Sequence, residues 1–236
     1  MTKDAQKILL FGGTGSLGSS IGVHFLSQGW EVISVSRKAT SDKSHIHWDV
    51  LNQESKEPLL TLKAHGPFDA VCWAQGENSN DSIYSFDEMF HQNMYEANVT
   101  YILKSLHHLL THNLLKASAR LCVISSIWQM MARQNKLSYG ITKAAIQGLV
   151  LSLANDLAKE GYLINAVLPG VLDTPMTHHN LTQTQIDNVK RSTQFNKLPT
   201  LKDVAHVVYF LCSKENTGTT GQFIKVDLGY SDVRII

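Results

Sequence analysis

The sequence is poor in several features, and each shortage narrows what the protein does. It has three cysteines, Cys72, Cys122 and Cys212, far apart and each inside an apolar run. That spacing excludes a disulfide framework and a thiolate metal site, and reads as reduced packing residues of a cytoplasmic protein. Excess charge is lacking too. The formal net charge is +1, which gives no electrostatic case for binding nucleic acid or an anionic membrane surface. No apolar run approaches the ~20 residues of a membrane span. The stretch from Met1 to Lys7 is polar and has no apolar signal core. Internal repeats, low-complexity tracts and linker-like shifts in composition are absent, so 1–236 reads as a single domain. What remains is 236 residues, 43% of them hydrophobic, enough for one sizeable core.

Short apolar runs alternate with helical periodicities. Strands are expected over 7–11, 31–36, 46–50, 68–73, 120–125, 163–168 and 221–226. Between them the pattern predicts helices from about Leu17 to Gln28, Glu54 to His65, Ser82 to His112, Tyr139 to Lys159 and Asp203 to Cys212. An alternating βαβα order argues for a parallel sheet covered by helices on both faces, with ligands beyond the C-terminal strand ends.

The first strand runs into Gly12-Gly13-Thr14-Gly15-Ser16-Leu17-Gly18. Strand, glycine turn and helix are the context of a dinucleotide site. Glycines let the backbone approach a pyrophosphate, and the helix start offers unpaired N–H groups. Both Gly13-x-Gly15-x-x-Gly18 and Gly12-x-x-Gly15-x-x-Gly18 fit; a plain tight turn is the alternative. The second strand ends in Ser36-Arg37-Lys38. An acid about twenty residues past the glycines would select NAD, whereas a cation suits the 2′-phosphate of NADP. Arg37 and Lys38 therefore favour NADP(H) over NAD(H), with solvated loop charge as the alternative.

Asp49-Val50, Ala74-Gln75-Gly76, Ser126 and Pro169-Gly170 also follow expected strands and should gather at the same rim. The fifth strand ends in Ser125-Ser126, and Tyr139 and Lys143 stand one helical turn apart. An ammonium beside a phenol favours its phenolate and lowers its pKa from an ordinary value of ~10. Such a phenol exchanges a proton with an oxygen on carbon. On its own the pair is an ordinary surface pair on a helix; convergence at one rim lifts it above that reading. Asn98 interrupts an apolar helical stripe. Trp128, Met130 and Met131 either line a pocket or pack under the loop. The segment 176–198, with His178 and His179, has the length of a lid or of a surface loop. His108 and His112 sit one turn apart without a third ligand, which argues against a metal.

Taken together, these residues resemble the short-chain dehydrogenase/reductase family over Lys7 to about Gly229. The most specific parts are Ser126, Tyr139 and Lys143, whose mutual spacings match the family. Asn98 falls at the place of its active-site asparagine, and Asp49-Val50 matches its adenine-contacting pair. The segment Asn165 to Gly170, with Leu172 and Thr174, is similar to the stretch along the nicotinamide. The resemblance implies a doubly wound three-layer α/β sandwich, a Rossmann fold with a central, mostly parallel seven-stranded sheet. It implies Tyr139 as proton donor and acceptor, Ser126 as partner of the substrate oxygen, and Lys143 as binder of the nicotinamide ribose. It further implies Asn98 as holder of a water, and a homodimer or homotetramer paired through the long helices.

The sequence departs from the family at Phe11, where threonine is usual, at Ser16, and at Cys72-Trp73-Ala74-Gln75-Gly76. These departures keep two alternatives open, a dinucleotide-binding sensor or scaffold without turnover and a sugar-nucleotide epimerase. The expected activity is reduction of a small carbonyl compound or oxidation of its secondary alcohol. An acyl-carrier substrate is one possibility, although Ala117 and Glu160 stand where its docking arginines would be. The substrate pocket falls on Trp128 to Arg133 and the loop after Pro175, where spacing carries no code.

Overall fold

A computed structural model describes residues 5–51 and 57–233. Seven strands form one sheet in the order β3-β2-β1-β4-β5-β6-β7, with every pairing parallel. They are β1 (Lys7–Phe11), β2 (Glu31–Ser36), β3 (His45–His47), β4 (Phe68–Trp73), β5 (Leu115–Ile124), β6 (Leu163–Pro169) and β7 (Phe223–Val226). The α-helices are α1 (Ser16–Ser27), α2 (Glu57–His65), α3 (Glu88–Tyr95), α4 (Tyr101–Thr111), α5 (Leu137–Asp156), α6 (Pro175–Asn180), α7 (Gln183–Arg191) and α8 (Leu201–Cys212).

The central strands read as continuous apolar runs because both faces are covered. Side chains alternate across a strand, so odd and even positions enter two cores. Leu9, Phe11, Val71, Trp73, Leu121 and Val123 pack with Ile102 and Leu106 of α4 and Ile146 and Val150 of α5. Ile8, Leu10, Ala70, Cys72 and Cys122 pack with Ile21 and Phe25 of α1 and Val204 and Val208 of α8. The cysteines are far apart in sequence yet meet in this second core. Cys72 and Cys122 are register partners, Cys212 packs in the same cluster, and all three are free and buried. Strand order reverses between β1 and β4, which opens a crevice beyond their C-terminal ends.

Several boundaries differ from the expected ones. The third strand stops at His47, so Asp49 and Val50 lie past it. Residues 54–56 of the expected second helix, and the apolar pair Ile235-Ile236, lie outside the described residues. The expected long helix from Ser82 is four pieces: a 3-10 turn at Ile83–Ser85, then α3, a π-helical turn at Glu96–Thr100, and α4. The fifth strand begins five residues early, at Leu115; Ser118 at φ +59 and a register shift against β4 hide that start from an alternation pattern. By length and composition α5 alone among the described helices could cross a membrane. Here it lies against the sheet and buries Tyr139, Lys143, Ile146 and Val150.

Candidate active site

Gly12 has a positive φ of 79°, and a Cβ there would stand 2.6 Å from the Gln75 nitrogen. A Cβ on Gly18 would collide with the Gly12 backbone. The turn between β1 and α1 therefore tolerates no side chain at either position, and the Gly15 N–H donates to the Gly12 carbonyl at 3.0 Å. Helix α1 has no acidic residue in its first turn and no side-chain cap, so its free N–H groups and dipole favour an anion.

The loop opens onto a cleft of about 560 Å³. Its wall includes Gly12, Thr14, Gly15, Ser16, Leu17 and Gly18, then Arg37 and Lys38, then Ala74, Gln75 and Gly76. Ser126, Tyr139, Lys143, Pro169, Gly170, Leu172 and Thr174 complete the set of expected residues on it. Four expected residues are not on the wall: Gly13, Asp49, Val50 and Asn98. Gly13 backs onto Ser34, where a Cβ would come 2.6 Å from the serine Cβ. Val50 is buried in the core beside Trp48 because the strand has already ended, and Leu51 reaches the wall instead.

Asn98 sits in the π-helical turn, fully buried, and works behind the wall. Its Oδ1 accepts from the Glu77 N–H at 2.8 Å, and its Nδ2 donates to the Glu77 carbonyl and to Thr142 Oγ1, both at 3.0 Å. Both amide donors are thereby spent on fixing the exit of β4 to α5. Gly76 makes this approach feasible, since a Cβ there would lie 2.8 Å from Asn98 Oδ1.

The phenol of Tyr139 is buried, and the Ser126 hydroxyl facing it favours its ionised form. Burial is nevertheless the larger influence and pushes the phenol up to about 12. Lys143 Nζ lies 5.5 Å from the ring centroid and donates to the Ile124 carbonyl at 3.3 Å. Burial lowers this ammonium to about 8. The expectation that the ammonium makes the phenol acidic thus meets a stronger opposing force in the protein alone, the loss of water around both groups. At neutral pH the phenol holds its proton and the ammonium its charge.

Sequence spacing does not single out Lys136, although it stands one turn before Tyr139 on the same helical face. It is buried, 5.6 Å from the Tyr139 ring centroid, and donates to Asn78 Oδ1 at 2.6 Å and the Ser79 carbonyl at 2.9 Å. Burial, aided by the nearby Arg133, lowers it to about 8. Asp81, also buried, accepts from the Ser138 N–H and hydroxyl and opposes that shift.

Two wall residues test whether a dinucleotide fits. Both ends of the Gln75 carboxamide and the Ser125 hydroxyl are buried without a hydrogen-bond partner. Buried polar groups are normally paired, so unpaired ones on residues that line a glycine-rich cleft suit a polar ligand that reorders the wall. Among the described residues no cluster of His, Cys, Asp or Glu is arranged to hold a metal. His108 instead packs against Trp48 and His112.

The profile of a family described as enoyl-(acyl carrier protein) reductase matches residues 13–231. The chain belongs to the short-chain dehydrogenase/reductase family. It is similar to 2-(R)-hydroxypropyl-CoM dehydrogenase from Xanthobacter autotrophicus, 24% identical over 95% of this chain and 98% of that protein. Among solved structures, a short chain dehydrogenase family protein from Francisella tularensis superposes with a TM-score of 0.84 at 24% identity, covering 96% of this chain and 99% of that one. ElxO with NADP bound gives 0.84 at 24%, covering 96% and 98%. As a short-chain dehydrogenase/reductase the chain is an oxidoreductase, of a family that binds nicotinamide dinucleotides.

Trp128 and Arg133 line the cleft, whereas Met130 is exposed and Met131 packs on the core. The segment 176–198 carries all but the first residue of α6 and the whole of α7. Met176, Thr177, Asn180 and Leu181 reach the cleft, while His178 turns to Asp173 at 2.7 Å and His179 stays exposed. No spacing rule marks those four; only the fold brings them over the rim.

Proposed function

We propose that this chain is an NADP(H)-dependent oxidoreductase that interconverts a carbonyl compound and its secondary alcohol, with Tyr139 as general acid and base. The observation that carries this reading is the buried phenol on the wall of a glycine-lined cleft, faced by Ser126 and with Lys143 Nζ 5.5 Å from its ring centroid. The Gly12–Gly18 turn and the α1 N-terminus would hold the pyrophosphate, and Gln75 and Ser125 are polar groups in need of partners. Lys143, Pro169, Gly170, Leu172 and Thr174 would seat the nicotinamide end.

A bound nicotinamide supplies or takes the hydride. Ser126 holds the substrate oxygen and steadies its developing charge. In reduction, Tyr139 Oη gives its proton to that oxygen, and the charge of Lys143 favours the phenolate left behind. In oxidation Tyr139 must first be ionised, which its burial opposes at neutral pH. Asn98 is a positioning residue here, locking the β4 exit against α5.

NADP(H) is preferred in this reading because Arg37 and Lys38 stand on the wall at the tip of β2. Arg37 now pairs with Glu77 at 3.2 Å, but both groups are substantially exposed, and such a pair is worth less than ~1 kcal/mol. The ElxO structure described with NADP bound is consistent with that choice. An acyl-carrier substrate is disfavoured, since Lys116 is held by Asp69 at 2.8 Å and Ala117 and Glu160 supply no cation. Exposed Leu103, Ile141 and Leu151 on α4 and α5 fit pairing of two copies, which sedimentation tests. The three free, buried cysteines suit a reducing cytoplasm.

The test is a fluorescence titration with NADPH and NADH, followed by a carbonyl and alcohol panel with whichever binds. Tighter binding of NADPH and turnover of a carbonyl compound are expected. Binding without any turnover would support the sensor alternative, and no binding of either dinucleotide would remove the reading.

A further inference from the structure

The charged side chains on the cleft wall are Arg37, Lys38, Glu77, Arg133 and Lys143. Glu77, the one acid, is engaged by Arg37 at the β2 end. Arg133 lies in the loop joining Ser126 to Tyr139, half-buried, and no carboxylate pairs with it among the described residues. It acts on Lys136, whose ammonium is 5.6 Å from the Tyr139 ring centroid, so it belongs to the phenol's end of the cleft. Two acids in neighbouring loops have partners of their own. Asp81 is spent on Ser138, and Asp173 pairs with His178 at 2.7 Å. The β2 end of the cleft is a different place, since β2 and β5 are separated by β1 and β4 in the sheet.

An arginine presents a planar fork of donors and cannot give up its charge, so withdrawing it from water without an acid is costly. A further cation, Lys143, lies on the same wall 5.5 Å from the Tyr139 ring centroid, and Lys136, which Asp81 offsets in part, stands behind it. That end of the cleft is therefore built for negative charge.

We propose that Arg133 anchors a carboxylate of the substrate, so that the compound meeting Tyr139 is an oxo acid or the matching hydroxy acid. This deepens the reading of the cleft as a carbonyl reductase site and rests on it. Specificity then comes from the Ser126–Tyr139 loop, and Arg133 is its determinant.

The experiment compares acids with their ethyl esters at three spacings: pyruvate, acetoacetate and levulinate, each with NADPH. NADPH binding is measured first; if it fails, the dinucleotide reading has failed, and acid-over-ester binding to the protein alone still decides the anchor. At least one acid is expected to exceed its ester in kcat/KM by ~10- to 100-fold, the worth of a charge-assisted bond. Arg133→Gln should remove that gap mainly through KM, and Arg133→Lys should restore part of it. Equal or better use of the ester in all three pairs would overturn the proposal, as would an acid preference that survives Arg133→Gln. If none of the six turns over, calorimetry on the Tyr139→Phe protein with NADPH decides it. Acid binding that exceeds ester binding and is lost on adding Arg133→Gln supports the anchor; its absence overturns it.

Discussion

The two ends of the cleft carry cations of different kinds. At the β2 end Arg37 is exposed and shares its charge with Glu77. At the α5 end Lys143 and Lys136 are buried, flank one phenol, and have been lowered to about 8 by loss of water. Exposed cations recognise a ligand and are cheap to rearrange. Buried ones sit near their own titration, as the burial that holds the proton on the phenol between them also lowers the two ammonium groups. In the proposed reading the first end is a binding device and the second a chemical one.

Substitutions should break the two ends differently. Tyr139→Phe removes the proposed proton donor; turnover should fall by ~10³-fold while NADPH titration remains close to that of the parent. Retained turnover would take Tyr139 out of the reaction. Lys143→Met should cost ~10²-fold in kcat and also weaken dinucleotide binding, because it faces both the phenol and the cleft; a pure stability loss without either effect would contradict this. Gly12→Ala meets a positive φ and the Gln75 backbone, so thermal melting should report a loss of ~1–3 kcal/mol together with weaker NADPH binding. An unchanged melt would refute the close approach of the loops. Glu77→Gln frees Arg37 and should tighten NADPH by only ~2- to 5-fold, with no gain for NADH. A gain shared by both dinucleotides would mean that Arg37 does not read the extra phosphate.

The same contrast explains what was legible in the sequence. The glycine turn was legible because the backbone conformation itself demands glycine, and α5 was legible because Tyr139 and Lys143 share a helical face. The π-helical turn at Asn98 was not, since it keeps helical periodicity on both sides. Asp49-Val50 read as part of a strand because Ile46, Trp48 and Val50 are apolar at every second position, although pairing ends at His47. Lys136 was missed because its burial comes from Asn78 and Ser79, more than fifty residues away in sequence.

The departures at Phe11 and Trp73 turn out to be a single feature. They are register partners, their rings stack at 5.8 Å and 3°, and Tyr101 meets Phe11 edge-on. Trp73 Nε1 donates to Ser105 at 2.8 Å. An aromatic pair of this kind is worth ~0.5–1.5 kcal/mol beyond its buried area, and it makes a firm floor beneath the rim. No single-position comparison reveals that pairing.

The central claim is that burial keeps the Tyr139 proton in place and leaves Lys143 near its titration point. The pH dependence of kcat/KM for carbonyl reduction tests it most directly, because that quantity reports the free enzyme. The rate should be flat up to about pH 8 and fall above it as Lys143 loses its charge, and in Lys143→Met that fall should disappear. A profile that falls well below neutrality, as it would if the phenol itself titrated there, would contradict the account, as would a fall near pH 8 that persists in Lys143→Met.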